Sequence, residues 1–284
     1  MTARVRLLAI DIDGTLLDSQ GRLPDVNRRA LADAIGCGIE LALVTGRSFH
    51  FTKPVADLLD LPVTLIVNNG AVVKSAEGKT AMRHVLPRGV AREVLEQTAD
   101  AYADSVALIF DRLDERQMIF EHMDWSHPQR SGYYEKNRAF IAASSCGLAE
   151  MLTEDPIQVM FNGGVDRMRA LAAMLRAAPA GATYNVSVTE YQQKDFSLVD
   201  INGAGCSKGA TLARWAATRG IPPEWVMAIG DNLNDIDMLK FAGTAVVMGN
   251  AVEEMKAFGY AVTGTNDEGG LAAAVKRCVT DTDR

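Results

Sequence analysis

Val5-Arg6-Leu7-Leu8-Ala9-Ile10-Asp11-Ile12-Asp13-Gly14-Thr15 runs an apolar segment straight into two aspartates and a glycine. The run has the length and composition of a strand buried on both faces. In extended backbone residues i and i+2 point the same way, so the carboxylates of Asp11 and Asp13 are expected to project together from the carboxyl end of that strand. Like charges held close cost free energy unless a cation or a proton separates them. Gly14-Thr15 adds a turn whose backbone amides can meet an anion. The stretch therefore reads as a strand ending in an anion-handling site that needs a counterion.

Outward from it, buried-strand patterns recur at Ile39–Val44 and Leu65–Val67, with helix-compatible sequence between them. The first helix is expected to start near Pro24 and end around Gly36 to Gly38, with proline at the start and glycine beyond the end. Val226–Ile229 and Thr244–Met248 repeat the strand pattern late in the chain. Strand and helix in alternation predict an α/β fold built on a doubly wound parallel sheet. The middle differs. Helical stretches Arg88–Ala103 and Val165–Ala178 sit among strand-like Val106–Phe110, Gln117–Glu121, Ile157–Phe161 and Tyr184–Thr189, which predicts an inserted α+β domain. The expected division is 1–81 for the first part of the core, 82–191 for the insert and 192–284 for the second part of the core.

The 284 residues allow one large domain or two smaller ones. No apolar run approaches the ~20 residues of a membrane-spanning helix. The first residues also lack the pattern of a secretion signal, so a cytoplasmic location is the expectation. Cys37, Cys146, Cys206 and Cys278 lie far apart with no C-x-x-C pair, which predicts neither a disulfide framework nor a zinc site. A net charge of -7 argues against a broad nucleic-acid footprint while leaving room for a local basic pocket for one phosphate. Oligomeric state is not encoded in any pattern of the chain.

Three further clusters fall at predicted strand ends, where open α/β sheets bind ligands. Thr45-Gly46-Arg47 follows Ile39–Val44 and presents a hydroxyl, free backbone and a cation, although a plain turn has the same sequence. Ser207-Lys208-Gly209 precedes a helix-like stretch, placing Lys208 against the positive end of a helix dipole; that suits an anion beside it, and a solvated lysine equally. Gly203-x-Gly205 and Lys208 complete neither a dinucleotide fingerprint nor a Walker A loop. In Gly230-Asp231-Asn232-Leu233-Asn234-Asp235 the spacing of Asp231, Asn234 and Asp235 predicts one helical face, the alternative being a simple capping turn. His50, His84, His122 and His127 show no ligand spacing. Trp125, Tyr133 and Tyr134 are either core or the lining of a substrate pocket.

Asp11-Ile12-Asp13-Gly14-Thr15-Leu16, Thr45-Gly46-Arg47, Lys208 and Gly230-Asp231 with Asn234-Asp235 together resemble the four ordered motifs of the haloacid dehalogenase superfamily of phosphatases. Asn68-Asn69-Gly70-Ala71, Val247-Met248-Gly249-Asn250-Ala251 and Thr265-Asn266-Asp267-Glu268-Gly269-Gly270 resemble its Cof-type subfamily with a type IIB cap. The resemblance spans essentially the whole chain and implies a HAD-like Rossmannoid core, with the insert as a cap able to close over the site. It implies that Asp11 is the nucleophile and Asp13 the general acid and base. It further implies that Mg2+ is held by Asp11, the backbone carbonyl of Asp13 and Asp231. Thr45, Lys208, Gly46, Asn234 and the Ile12 amide would bind the phosphoryl group, with Asp235 orienting Lys208 or a metal-bound water. Arg47 is expected at most to touch substrate.

The activity so implied is Mg2+-dependent hydrolysis of a small phosphorylated metabolite, such as a sugar phosphate, with cap residues near Trp125–Tyr134 and around Asn162–Gly164 helping to select it. A phosphomutase or phosphotransferase on the same scaffold is the nearest alternative, because an aspartyl-phosphate can pass to an alcohol instead of water. A non-catalytic phosphoacceptor of the receiver-domain kind is the alternative outside enzymes.

Overall fold

The computed structural model describes residues 5–112 and 116–280, and side chains as far as Arg277, so the Cys278 thiol lies outside the described residues. Two compact units emerge: one from the chain up to Met82 and from Ser207 onward, the other Arg83–Cys206.

In the first unit β1 (Leu7–Ile10), α1 (Asp25–Gly36), β2 (Glu40–Val44), α2 (Phe49–Leu59) and β3 (Thr64–Val67) alternate, followed by β4 (Val72–Ser75) and β5 (Thr80–Arg83). The second unit contains α3 (Arg88–Tyr102), β6 (Val106–Ile109), β7 (Met118–Phe120), α4 (Pro128–Asn137), β8 (Ile141–Ala143), β9 (Gln158–Gly163), α5 (Val165–Ala177), β10 (Tyr184–Tyr191) and β11 (Phe196–Gly203). The first unit then resumes with α6 (Lys208–Thr218), β12 (Val226–Gly230), α7 (Ile236–Phe241), β13 (Thr244–Val247), α8 (Glu253–Lys256), β14 (Ala261–Val262) and α9 (Gly270–Thr280).

The described strands of the first unit form one sheet in the order β14-β13-β12-β1-β2-β3-β4-β5. From β14 to β3 the pairs are parallel, with β1 at the centre: Ile10 lies beside Ile229 of β12 on one side and Leu43 of β2 on the other. All four residues of β1 are buried, as expected of a strand covered on both faces. The parallel sheet does not continue to its far edge. β4 returns antiparallel to β3, Val67 opposite Val72, so the sheet is mixed there. The core around it joins Ala9, Val44, Ile66, Leu212, Ala228 and Met238 among others.

The described strands of the second unit make a separate sheet in the order β10-β11-β9-β6-β7-β8. This corrects the expected boundary at 192. β10 and β11 pair along their whole length, Tyr184 opposite Gly203 and Tyr191 opposite Phe196, and β11 pairs again with β9. Val199 and Ile201 of β11 are fully buried, so residues 192–206 complete the insert's sheet and do not begin the second core part. The aromatic residues of the insert pack on one another: Trp125 lies 4.8 Å from Tyr134 and 5.0 Å from Phe120 between ring centroids. His127 caps α4 by accepting from the Gln129 amide. No described helix is long and apolar enough to cross a membrane.

At Gly209, in the first turn of α6, an added Cβ would stand 2.4 Å from the backbone carbonyl of Asp237 in α7, so the two helices approach through a position that admits no side chain. In an ordinary helix, alanine in place of glycine gains about 0.5–1 kcal/mol. Gly209→Ala should reverse that sign and lower stability by roughly 1–3 kcal/mol, the range for overpacked sites. A urea denaturation midpoint that rises in this variant would contradict the close approach.

Candidate active site

β1, β2 and β12 end side by side, and the loops leaving them carry most of the site. After Ile10 the chain leaves the strand through a wide turn over Ile12–Leu16, closed by Leu16 N–H to Asp11 O and Leu17 N–H to Ile12 O. Gly14 takes φ +80° at its centre, and a Cβ there would lie 2.3 Å from Asp231 Oδ2. Backbone conformation and space both require glycine.

The turn corrects the expectation that Asp11 and Asp13 point together from an extended strand. Asp11 is buried and accepts from Lys208 Nζ at 2.6 Å. Asp13, two residues on, is a third exposed at its side chain and is gripped by Arg47 through Nε to Oδ2 at 2.7 Å and Nη2 to Oδ1 at 2.6 Å. Helical backbone at Ile12 rotates the second side chain out of the register that a strand would impose. Ile12 buries its own side chain, and its carbonyl is taken by the Leu17 amide.

Lys208 opens α6 behind the Ser207 cap, whose hydroxyl accepts from the Ala210 amide. Its buried ammonium also donates to Asp235 Oδ1 at 2.6 Å. Burial by itself would push this amine down, but the two carboxylates more than offset it and hold it well above the usual lysine range. Asp235 Oδ2 accepts from the amides of Asp231 and Asn232, each at 3.0 Å. The predicted single helical face for Asp231, Asn234 and Asp235 is therefore not formed. Asp231 precedes the helical turn of Leu233–Asp235, and Asp235 folds back to cap it. The capping alternative is the one the geometry forms.

Carboxylate oxygens of Asp11, Asp231 and Asp235 lie within 4.8 Å of one another. Three buried carboxylates against one ammonium leave the cluster short of positive charge. Burial, with Asp235 and Asp13 nearby and only partly countered by Lys208, raises the Asp11 carboxyl to about 7. Burial and the charges of Asp11 and Asp235 push Asp231 well above its ordinary value. Asp235 is spent on Lys208 and two amides, so Asp11 and Asp231 are the carboxylates that remain for a cation. Their hard oxygen donors fit Mg2+ better than a thiophilic metal. Thr15 donates its hydroxyl to Asp231 Oδ1 at 3.0 Å and fixes that carboxylate.

On the other side, Thr45 is buried and its hydroxyl accepts from the Arg47 amide, which leaves the hydroxyl proton to donate elsewhere. Gly46 faces Asn69 and Asn234, whose amides a Cβ would meet at 3.2–3.6 Å. Asn234 donates to Asn69 Oδ1 at 2.9 Å, while its own Oδ1 is buried with no partner. Asp11, Ile12, Asp13, Thr45, Gly46, Lys208, Asp231, Asn234 and Asp235 thus all belong to the first unit, whereas the expected substrate-selecting residues Trp125–Tyr134 and Asn162–Gly164 belong to the second.

Several residues support the site through side chains to which the sequence attached no individual role: Thr15, Asn69, Asn250 and Asn266. Asn250 donates to Gly14 O at 2.8 Å and accepts from the Asn266 amide, and Asn266 donates to Leu17 O. The signal for them was their place in the strings that carry the family resemblance, Asp11–Leu16, Asn68–Ala71, Val247–Ala251 and Thr265–Gly270.

A family model described as haloacid dehalogenase-like hydrolase matches residues 8–275. Phosphatase YwpJ of Bacillus subtilis (strain 168) is 29% identical over 96% of this chain and 99% of its own length. Pyridoxal phosphate phosphatase YbhA of Escherichia coli (strain K12) is 30% identical over 96% of this chain and 97% of its own. Among solved structures, the HAD phosphatase BT1666 from Bacteroides thetaiotaomicron superposes with a TM-score of 0.78 at 25% identity, covering 97% of this chain and 95% of that one.

Asp11 titrates at about 7 when folded against an ordinary 3.8, so between these values the folded state retains a proton that the unfolded chain has released. Its contribution to stability is full below the lower value and lost as pH rises through the upper one. In cation-free buffer, Asp11→Asn, which cannot ionise, should gain in Tm relative to the unmodified protein as pH rises from about 4 to about 8. Parallel Tm curves across that range would show that burial does not penalise the Asp11 charge.

Proposed function

Because the chain belongs to the haloacid dehalogenase-like hydrolase family and is a phosphatase of that family, we propose that it hydrolyses a small phosphorylated metabolite, such as a sugar phosphate, through an aspartyl-phosphate on Asp11. The observation that carries this reading is the buried Lys208 bridge between Asp11 and Asp235, which holds one carboxylate at a strand end beside a cation. The buried Asp11 and Asp231 pair, with the Asp13 main-chain oxygen, would hold Mg2+. When bound, that ion neutralises their charge and polarises the phosphoryl oxygens.

In the first half-reaction an Asp11 oxygen forms a bond to phosphorus as the ester P–O bond breaks, and Asp13 gives its proton to the departing alkoxide. In the second, Asp13 takes a proton from water as that water attacks phosphorus, and the Asp11–phosphate bond breaks to release orthophosphate. Lys208 and the Thr45 hydroxyl stabilise the charge on the transferring group, and Asn234 contacts it. Asp235 keeps Lys208 charged and aimed. The substrate range fits the names of relatives, one of which acts on pyridoxal phosphate.

A panel of phosphorylated metabolites supplied with Mg2+ should yield orthophosphate in step with the free alcohol, and a chelator should stop it. Asp11→Asn should remove turnover by on the order of 10⁴-fold or more while keeping the fold. An Asp11→Asn enzyme with undiminished phosphate release would sink the mechanism; an isomerised phosphate ester without orthophosphate would instead mark a mutase.

A further inference from the structure

The bidentate pair between Arg47 and Asp13 has no place in the phosphoryl-binding scheme above. Asp13 stands on a turn, and its side chain is a third exposed to water. A carboxylate so placed samples several rotamers unless something holds it. Arg47 supplies a planar fork that matches both oxygens, 2.7 and 2.6 Å away.

The fork is itself fixed. Its carbon lies 4.6 Å from the centre of the Phe51 ring, and Nη1 reaches Phe51 O at 3.3 Å. Its backbone amide donates to Thr45 Oγ1, and its backbone carbonyl accepts from Asn68. All three guanidinium nitrogens are therefore engaged, and two of them hold Asp13. The same short segment that presents the Thr45 hydroxyl thus also sets where the Asp13 carboxylate stands.

We infer that Arg47 is a positioning residue: it holds the Asp13 carboxylate in the orientation from which Asp13 exchanges a proton with the leaving-group oxygen, and it does not bind the transferring phosphoryl group. The inference rests on the assignment of Asp13 as general acid made under the proposed function.

Leaving-group dependence tests it. A p-nitrophenolate leaves without a proton, whereas an alkoxide needs one, and kcat/KM reports the steps through the first loss of alcohol. Arg47→Met should lower kcat/KM by roughly 10- to 100-fold on the best-cleaved primary-alcohol phosphate of the metabolite panel, and by less than about 3-fold on p-nitrophenyl phosphate. Retained p-nitrophenyl phosphate turnover is at once the evidence that the variant folds. Arg47→Lys, with the charge but not the fork, should fall between Arg47→Met and the unmodified enzyme. Asp13→Ala should show the same selectivity more strongly, about 10²- to 10⁴-fold, and adding Arg47→Met to it should cost little more.

Equal losses on both esters, as for a direct phosphate ligand, overturn the inference, and so do additive losses in the double variant. If Asp13→Ala is selective and Arg47→Met is not, only the role of Arg47 falls. If Asp13→Ala shows no selectivity, the general-acid assignment falls first.

Discussion

A single buried ammonium holds this site together. Lys208 Nζ donates at 2.6 Å to Asp11, 197 residues before it in the chain, and at 2.6 Å to Asp235, 27 residues after it. Three segments that are distant in sequence meet on that one cation. Each would be costly to bury alone: a carboxylate or an ammonium without its partner loses hydration and gains nothing. The surrounding backbone is shaped to the bridge. Gly209 lets α6 approach α7 without a side chain between them, and Gly230 has no room for a Cβ beside Asp235.

The bridge also divides labour among the acids. Asp235 spends both oxygens on Lys208 and on two amides, which makes it a rigid part of the fold. Asp11 and Asp231 stay buried with an excess of negative charge, which a divalent cation would offset. Asp13 lies outside the buried group and faces Arg47. Two aspartates separated by one residue thus occupy different electrical environments, one buried beside Lys208 and one partly exposed beside Arg47. The turn that separates them is braced from afar, by Asn250 on Gly14 O and by Asn266 and Asn27 on Leu17 O and Leu16 O.

Much of the fold was legible because parallel strands covered on both faces read as unbroken apolar runs, and β1, β2, β3, β12 and β13 all announce themselves in that way. The last strand of the insert was not. Phe196–Gly203 places Asp200 and Asn202 among its apolar residues, and its place in the insert's sheet shows only in its pairing with β9 and β10. The β4 return was hidden likewise, since nothing in Val72–Ser75 declares the direction of its partner.

The sequence by itself determined which chemical groups the site contains and in what order they arrive: the paired aspartates, the Thr-Gly-Arg string, the lysine and the Gly-Asp with Asn-Asp. It did so because these residue types stand at the ends of apolar strands, where local pattern is enough. Tertiary structure alone decided which oxygen meets which donor. Asp13 turns to Arg47, Asp235 folds back to cap Asp231 and grip Lys208, and Thr15 fixes Asp231 across 216 residues of chain. A hydrogen bond depends on direction within a fraction of an ångström, and that direction is set by backbone turns and long-range packing that no local spacing encodes.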